Sequence, residues 1–275
     1  MDEAPLVSII VPTKNSERFL DRCLSSLVNQ TYRNIEIIVV DNYSTDRTIE
    51  IAKKYTNKIF QFGPERSAQV NFGSRKASGD YLYKVDSDFV LSRSVVEECV
   101  EIARTGFDAV IVHNTPDTTI SLIAEIRKFE VDMYKYNLTY SSARFVKKDI
   151  FVRIGGFNER ITAGEDYDFQ NRLNKLQVKT GFIESEAIHL GEPTSLGSHL
   201  RKIYSYGKDF INFRKYNKVE SKNQLSPLRG VYFRNWRKFV SHPLTAIMFI
   251  FYTFIKFLTG FLGYCVGLMG LLAQK

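Results

Sequence analysis

Asp86-Ser87-Asp88 follows directly on the apolar run Tyr81-Leu82-Tyr83-Lys84-Val85. Two carboxylates one residue apart, at the exposed end of a buried strand, make a compact site of hard oxygen ligands. Such a site suits Mg²⁺ or Mn²⁺, which take one or two carboxylates and leave their other positions to water and phosphate oxygens. The implied chemistry is on a phosphorylated, nucleotide-bearing substrate. Alone, Asp-x-Asp also fits a strand that ends in a polar turn, so its meaning depends on what surrounds it.

The elements that must position these carboxylates are legible as a rhythm. Val7–Val11, Ile35–Val40, Lys58–Phe62, Tyr81–Val85 and Ala109–Val112 read as strands. Arg18–Asn29, Thr48–Tyr55, Ala68–Ala77 and Ser94–Ala103 read as the helices between them. Strands alternating with helices of this length predict right-handed βαβ units and a parallel sheet. Ligands of such sheets bind beyond the carboxyl ends of the strands. The polar residues expected there are Pro12 to Asn15, Asp41, and Asp86 with Asp88. Asp41 has two readings: a carboxylate that accepts from an N–H of uracil or guanine, or a strand-end residue that closes a turn with Ser44. From about Thr115 the rhythm changes to helices at Ile120–Tyr136, Glu165–Leu176 and Leu196–Phe213, with a Gly155-Gly156 turn between the first two.

Composition narrows the class. The chain has 275 residues, 44% of them hydrophobic, and a formal net charge of +8. Lys and Arg crowd the segment from Arg201 to Lys238, next to an almost purely apolar tail. That order fits an anionic membrane surface better than nucleic acid, and no zinc-finger spacing, recognition helix or aromatic RNA-binding signature accompanies the basic residues. The three cysteines form no Cys-x-x-Cys and no even framework, which fits a reducing compartment. Met1-Asp2-Glu3-Ala4-Pro5 lacks the basic and apolar regions of a secretory leader.

Val7-Ser8-Ile9-Ile10-Val11-Pro12-Thr13-Lys14-Asn15, Ile37-Ile38-Val39-Val40-Asp41, Asn71-x-Gly73, Ala77-Ser78-Gly79-Asp80-Tyr81, Asp86-Ser87-Asp88, Gly155-Gly156-Phe157 and Gly164-Glu165-Asp166-Tyr167-Asp168-Phe169 stand in that order. Over about Leu6 to Gly207 this resembles the family 2 glycosyltransferases of the GT-A fold. The resemblance implies a Rossmann-like, mostly parallel sheet flanked by helices, and a nucleotide-binding role for Pro12, Thr13, Asn15 and Asp41. It implies that Asp86 faces the ribose or the metal, and that Asp88 is a direct ligand of Mn²⁺ or Mg²⁺. Asp166 is expected as the catalytic base of an inverting transfer, with Glu165 beside it, although acids also favour a helix N-terminus. His189 stands where many members place a His that joins the metal or diphosphate. Between Arg66 and Arg75 the usual Arg-Asn-x-Gly phrasing is only partly kept, since Val70 precedes Asn71, so Arg66 or Arg75 is expected to meet the diphosphate. Arg201 and Lys202, on an amphipathic helix, are expected at a lipid phosphate or headgroups.

Leu244 to Ala273 carries Lys256 as its one charge, and about 20 apolar residues suffice for a span. The division expected is a catalytic domain over 1–215, a basic juxtamembrane segment over 216–242 and a membrane anchor over 243–275. The anchor would be either one span or an interfacial helical pair divided at Lys256. Its removal would leave a more soluble catalytic domain. The spacing of Gly263 and Gly267 suits close helix packing, including a homo-oligomer through this helix. The function expected is metal-dependent inverting transfer of a sugar from a UDP- or GDP-linked donor to a lipid-linked or saccharide acceptor, with the catalytic domain in the cytoplasm at the cell membrane. The rivals are a non-catalytic nucleotide-sugar or lipid-binding membrane protein on the same fold, and a nucleotidyltransferase. The last would show a Gly-rich phosphate loop near the N-terminus, which this sequence lacks.

Overall fold

Strands that alternate with helices must be covered on both faces, and the centre of the molecule obeys that pattern in a computed structural model describing residues 4–273. Met1, Asp2, Glu3 and Lys275, which entered the readings of leader and tail, lie outside the described residues. β1 (Val7–Thr13), β2 (Ile35–Asp41), β3 (Ile59–Gln61) and β4 (Tyr81–Lys84) run parallel, joined by α1 (Glu17–Val28), α2 (Thr48–Ala52) and α3 (Arg66–Lys76). Leu20, Cys23, Leu24 and Leu27 form the buried stripe of α1, the spacing of one helical face. Successive residues of β1 part to opposite sides. Ile9 and Val11 join the side of the core that holds α1 with Val96 and Cys99, and Ile10 joins the side that holds α3 with Phe169 and Leu173.

The second half adds β5 (Phe89–Leu91), α4 (Val95–Arg104), β6 (Ala109–Pro116), α5 (Leu122–Asp132), β7 (Phe145–Lys147), α6 (Lys148–Arg153), α7 (Glu165–Lys175) and β8 (Thr180–His189). All eight strands form one sheet in the order β3-β2-β1-β4-β7-β6-β8-β5. β6 and β8 are parallel, whereas β4/β7, β6/β7 and β5/β8 are antiparallel. The mostly parallel, helix-flanked sheet agrees with the expected fold class. β5, β7 and β8 were not legible as strands. The first two are three residues long. β8 carries Glu184 and Glu186, which disfavour strands on propensity alone.

The chain closes with α8 (Leu196–Tyr216), α9 (Glu220–Gln224), α10 (Gly230–Arg234), α11 (Trp236–Ser241) and α12 (Pro243–Ala273). α12 is a single helix of 31 residues, without a break at Lys256. Its Ala246, Phe249 and Tyr252 complete an apolar cluster with Ile126, Phe129 and Met133 of α5 and Val231 of α10. Lys256 does not reach outward. Its Nζ donates to Glu130 Oε1 and Oε2 at 2.6 and 2.7 Å. Further along, a Cβ on Gly263 would stand 2.1 Å from the Tyr204 carbonyl oxygen, and one on Gly207 would stand 2.3 Å from that of Gly260. The small residues of the tail therefore serve a backbone-to-backbone seam with α8 of the same chain.

Candidate active site

β4 delivers the two aspartates, and β5 with β8 brings them their partners. The chain leaves β4 at Lys84, turns through Asp86-Ser87-Asp88 with Phe89 N–H donating to the Asp86 carbonyl at 3.1 Å, and enters β5. β5 pairs antiparallel with the end of β8, so Phe89 lies opposite His189. Leu190 N–H donates to the Asp88 carbonyl at 2.8 Å and locks that juxtaposition. Phe89 stacks on the His189 ring with centroids 4.8 Å apart.

Asp88 Oδ2 is 3.1 Å from His189 Nε2. On the other side of the ring, His189 Nδ1–H donates to Glu192 Oε1 at 2.5 Å, and Glu192 Oε2 accepts from Arg127 Nε at 2.6 Å. Burial works to raise the Glu192 pKa, but the bonds from His189 and Arg127 outweigh it and hold the carboxyl at about 2. An ionised Glu192 keeps a proton on Nδ1, so Nε2, which shares a proton with Asp88 Oδ2, is the ring nitrogen left for a metal ion to take. For His189 itself burial lowers the pKa, and the hydrogen bonds with Asp88 and Glu192 raise it further than burial lowers it. A Cβ at Gly191 would meet Asp88 Oδ2 at 2.2 Å, so glycine there keeps that oxygen clear.

Asp86 is held differently. It is buried, with Arg144 Nη1 donating to its Oδ2 at 3.0 Å and with Lys84 Nζ and Arg66 Nη1 each 3.7 Å from its Oδ1. Burial disfavours its charge, but Lys84, Arg144 and Arg66 more than offset it and keep the group far below the usual carboxylate range. Its Oδ1 is buried without a hydrogen-bond partner. Asp166, in the first turn of α7, sits beside the same cations, with Lys84 Nζ 2.8 Å from Oδ1 and Arg144 Nη2 3.5 Å from Oδ2. Burial again opposes ionisation, and Lys84 and Arg144 overcome it. Arg66 pairs with Glu165. Gly164, at φ 86°, makes the left-handed step that starts α7 under Phe213.

These residues share one cavity of about 1070 Å³, lined by Arg66, Asp86, Asp88, Arg144, Glu165, Asp166, His189 and Lys202. Its far wall is built by α8 and α12 through Tyr206, Phe210, Arg214, Phe257, Phe261 and Tyr264. The other expected residues do not line it. Arg75 lies at the far end of α3, about 13 Å along the helix from Arg66, with its guanidinium over Phe72. Arg201 is exposed and donates to Gly197 of its own helix at 3.4 Å, because one step along α8 from Lys202 turns a side chain about 100° away. Pro12 and Thr13 at the end of β1, Asp41 at the end of β2 and Asn15 just beyond form a separate cluster. Asp41 is fully buried and accepts from Thr13 Oγ1 at 2.9 Å, from Ser44 N–H at 2.8 Å and from Ser44 Oγ. The turn with Ser44 is therefore present, and Asn15 braces it by accepting from Thr45 N–H at 2.9 Å.

Among the described residues no set of three or more His, Cys, Asp or Glu gathers as a metal cage. A pair of protein ligands is nevertheless the donor set expected for Mg²⁺ or Mn²⁺ that shares its shell with a diphosphate and water. Asp88 Oδ2 and the oriented His189 Nε2 fit that description, and Asp86 lines the same cavity. Sequence reasoning missed Lys84, Arg144, Arg127 and Glu192. Lys84 carried a signal, a lysine inside an apolar strand two residues before an aspartate, while Arg144 and Arg127 come from segments with no motif.

The sequence model of glycosyl transferase family 2 matches residues 8–157, which contain the Asp86-Ser87-Asp88 turn. The chain belongs to glycosyl transferase family 2. It is 26% identical over 206 residues to an uncharacterized glycosyltransferase of Rickettsia typhi, covering 67% of this chain and 63% of the relative. It is 28% identical over 189 residues to the chondroitin synthase of Escherichia coli, covering 64% of this chain and 27% of that one. The chain thus spans less than two thirds of either relative. Among solved structures, the mannosyltransferase PcManGT from Pyrobaculum calidifontis, in complex with GDP-Man and Mn²⁺, superposes with a TM-score of 0.68 at 14% identity, over 96% of this chain and 88% of that one. S. aureus TarS in complex with UDP-GlcNAc gives 0.57 at 18% identity, over 89% and 79%. At these identities the likeness to these two structures is one of fold.

Proposed function

We propose that this family 2 chain is a metal-dependent, inverting glycosyltransferase. It would move a sugar from a UDP- or GDP-linked donor to a lipid-linked or saccharide acceptor at the cytoplasmic face of a cell membrane. The observation that carries the reading is the convergence of Asp88, His189, Asp86, Glu165 and Asp166 on one cavity. The Mn²⁺ in the mannosyltransferase neighbour and the nucleotide sugars in both neighbours support it. The proposed division is a catalytic domain over 1–215, a basic segment over 216–242 and a membrane-attaching segment over 243–275.

Asp88 and His189 would hold Mn²⁺ or Mg²⁺, which when bound with the donor diphosphate supplies positive charge to the leaving group. Arg66 and Arg144 add fixed positive charge at the same mouth, and the loop ordered by Thr13, Asn15 and Asp41 would receive the nucleotide base. The acceptor oxygen attacks the anomeric carbon from the face opposite the diphosphate. The bond from that carbon to the diphosphate oxygen breaks, and the nucleoside diphosphate leaves with the electron pair. Asp166, kept ionised by Lys84 and Arg144, takes the acceptor's proton in this step. An acceptor that is already a phosphate anion needs no base. Lys202 and Arg214 on the acceptor side of the cavity would then neutralise it.

The test is donor hydrolysis and transfer with UDP- and GDP-sugars, with and without EDTA, and with the product anomer read by NMR. Metal-independent turnover overturns the metal role, a retained configuration overturns the inverting mechanism, and absence of any turnover with bound donor favours a binding protein.

A further inference from the structure

We infer that α12 does not cross the bilayer but lies along it, docking the catalytic domain side-on against an anionic lipid surface. The inference rests on the membrane attachment proposed above and specifies its geometry. Its first support is length. α12 is the one helix among the described residues long and apolar enough to span, and only 28% of its most apolar window is buried in the fold. Yet its inward stripe is docked on the catalytic domain from Ala246 to Gly267, about 32 Å of helix. That docked length by itself matches a hydrocarbon core of about 30 Å, so a crossing helix would have to bring the docked face into the bilayer with it.

A crossing α12 would carry α8 with it, because a Cβ on Gly267 already meets the Lys208 carbonyl oxygen at 2.8 Å. α8 holds Lys208, Arg214 and Lys215 exposed. Each charge taken into hydrocarbon disfavours insertion by roughly a hundredfold. Lys256 would not add to that cost in either geometry, since Glu130 neutralises it.

The outward face identifies the occupant. Leu244, Ile250, Phe254, Phe261 and Met269 are all more than half exposed along it, and no charged side chain interrupts them. Phe233, Trp236 and Val240, on the short helices α10 and α11 that lead into α12, are also 59–70% exposed. Arg234 and Arg237 stand exposed beside them. The sequence contains no Asp or Glu after Glu220. An apolar face whose only charged margin is positive complements an anionic bilayer, with the indole at the headgroup level. A second copy of this chain would instead set two like-charged margins against each other.

The experiment uses the full chain and vesicles of phosphatidylcholine, with or without an equal part of phosphatidylglycerol. The expected result is flotation with the anionic vesicles, weaker flotation with the neutral ones, and a blue shift of Trp236 emission. Spin labels on Ile247→Cys and Met269→Cys, in a Cys265→Ser background, should report the same shallow depth. Ile250→Glu with Phe254→Glu, both at exposed positions, should leave the thermal midpoint unchanged and weaken vesicle binding by about a hundredfold or more. Labels at opposite leaflets overturn the inference in favour of a span. A soluble dimer that these glutamates dissociate, with no flotation, overturns it in favour of a second copy. Binding unchanged by the glutamates also overturns it. Donor hydrolysis, followed in the same samples, separates the two readings: protein that floats but never turns over donor defeats the reaction, and active protein that never floats defeats the docking.

Discussion

Asp88→Asn keeps the size of the side chain and removes its charge at a turn whose backbone is fixed by Phe89 and Leu190. The fold should therefore persist while metal-dependent turnover falls by at least about a hundredfold, the scale of losing one electrostatic group from a preorganised site. Circular dichroism checks the first point and kinetics at saturating Mn²⁺ the second. Glu192→Gln tests a residue that acts only through His189. It removes the charge that selects the imidazole tautomer, so Mn²⁺ affinity in the presence of UDP or GDP should drop by about 10- to 100-fold. Calorimetric titration of the ion reads that drop directly, and unchanged affinity would mean that Glu192 serves only to pair with Arg127. Asp166→Asn should retain donor binding and lose about 10²- to 10⁴-fold in transfer to a hydroxyl acceptor. If donor affinity collapses while the rate per bound donor survives, Asp166 holds substrate and is not the base.

Among the elements, the α8–α12 seam carries the sharpest expectation. Gly263→Ala puts a methyl group 2.1 Å from the Tyr204 carbonyl oxygen, and neither backbone can yield without separating the helices. Overpacking of this kind costs about 1–3 kcal/mol, and the midpoint should fall by about 2–4 °C for each kcal/mol in a chain of this size. Leu262→Ala, one residue away and 53% exposed, should leave the midpoint where it is. The same seam shows where sequence reading stops. The strands β1, β2 and β4 announce themselves as apolar runs, and the carboxylates at their ends follow from the period of the chain. Arg144 gave no such signal, because it meets Asp86 only through the pairing of β7 with β4, and Glu192, although three residues from His189, is fixed by Arg127 of α5, a tertiary contact without a local pattern. The glycine spacing of α12 was legible as close packing, but its partner was not. Whether Gly263 meets a second copy, lipid or α8 depends on a tertiary contact that no local pattern encodes.

At the scale of the whole molecule, α12 and the catalytic domain share a buried charge. Burial opposes the ionisation of Glu130, but Lys256 and Arg229 outweigh it and hold its pKa at about 2, against 4.5 for a free glutamate. A carboxyl depressed in the folded state stabilises fully above its unfolded pKa and loses that contribution as pH falls toward the folded one. Stability should therefore decline between about pH 4.5 and 2 by an amount on the order of 3 kcal/mol from this group. A Glu130→Gln, Lys256→Met double variant should show a shallower acid slope in chemical unfolding. Deleting 243–275, which the sequence suggested would free a more soluble domain, instead removes Ala246, Phe249 and Tyr252 from a shared core and leaves Glu130 without Lys256. The truncated chain should be less stable and more prone to aggregate than the full one, as differential scanning calorimetry and light scattering would show.

Phe261 belongs at once to the wall of the catalytic cavity and to the exposed apolar face, where it is 61% accessible. Any detergent that keeps the protein dispersed presents its alkyl chains at the rim of the reaction chamber. Turnover assayed in micelles should consequently decline as detergent is added. The inhibition should be relieved by raising an amphiphilic acceptor and indifferent to raising the nucleotide sugar. Rates collected in nanodiscs would escape it, so the choice of solubilising medium becomes a kinetic variable of the proposed transfer as much as donor and acceptor are.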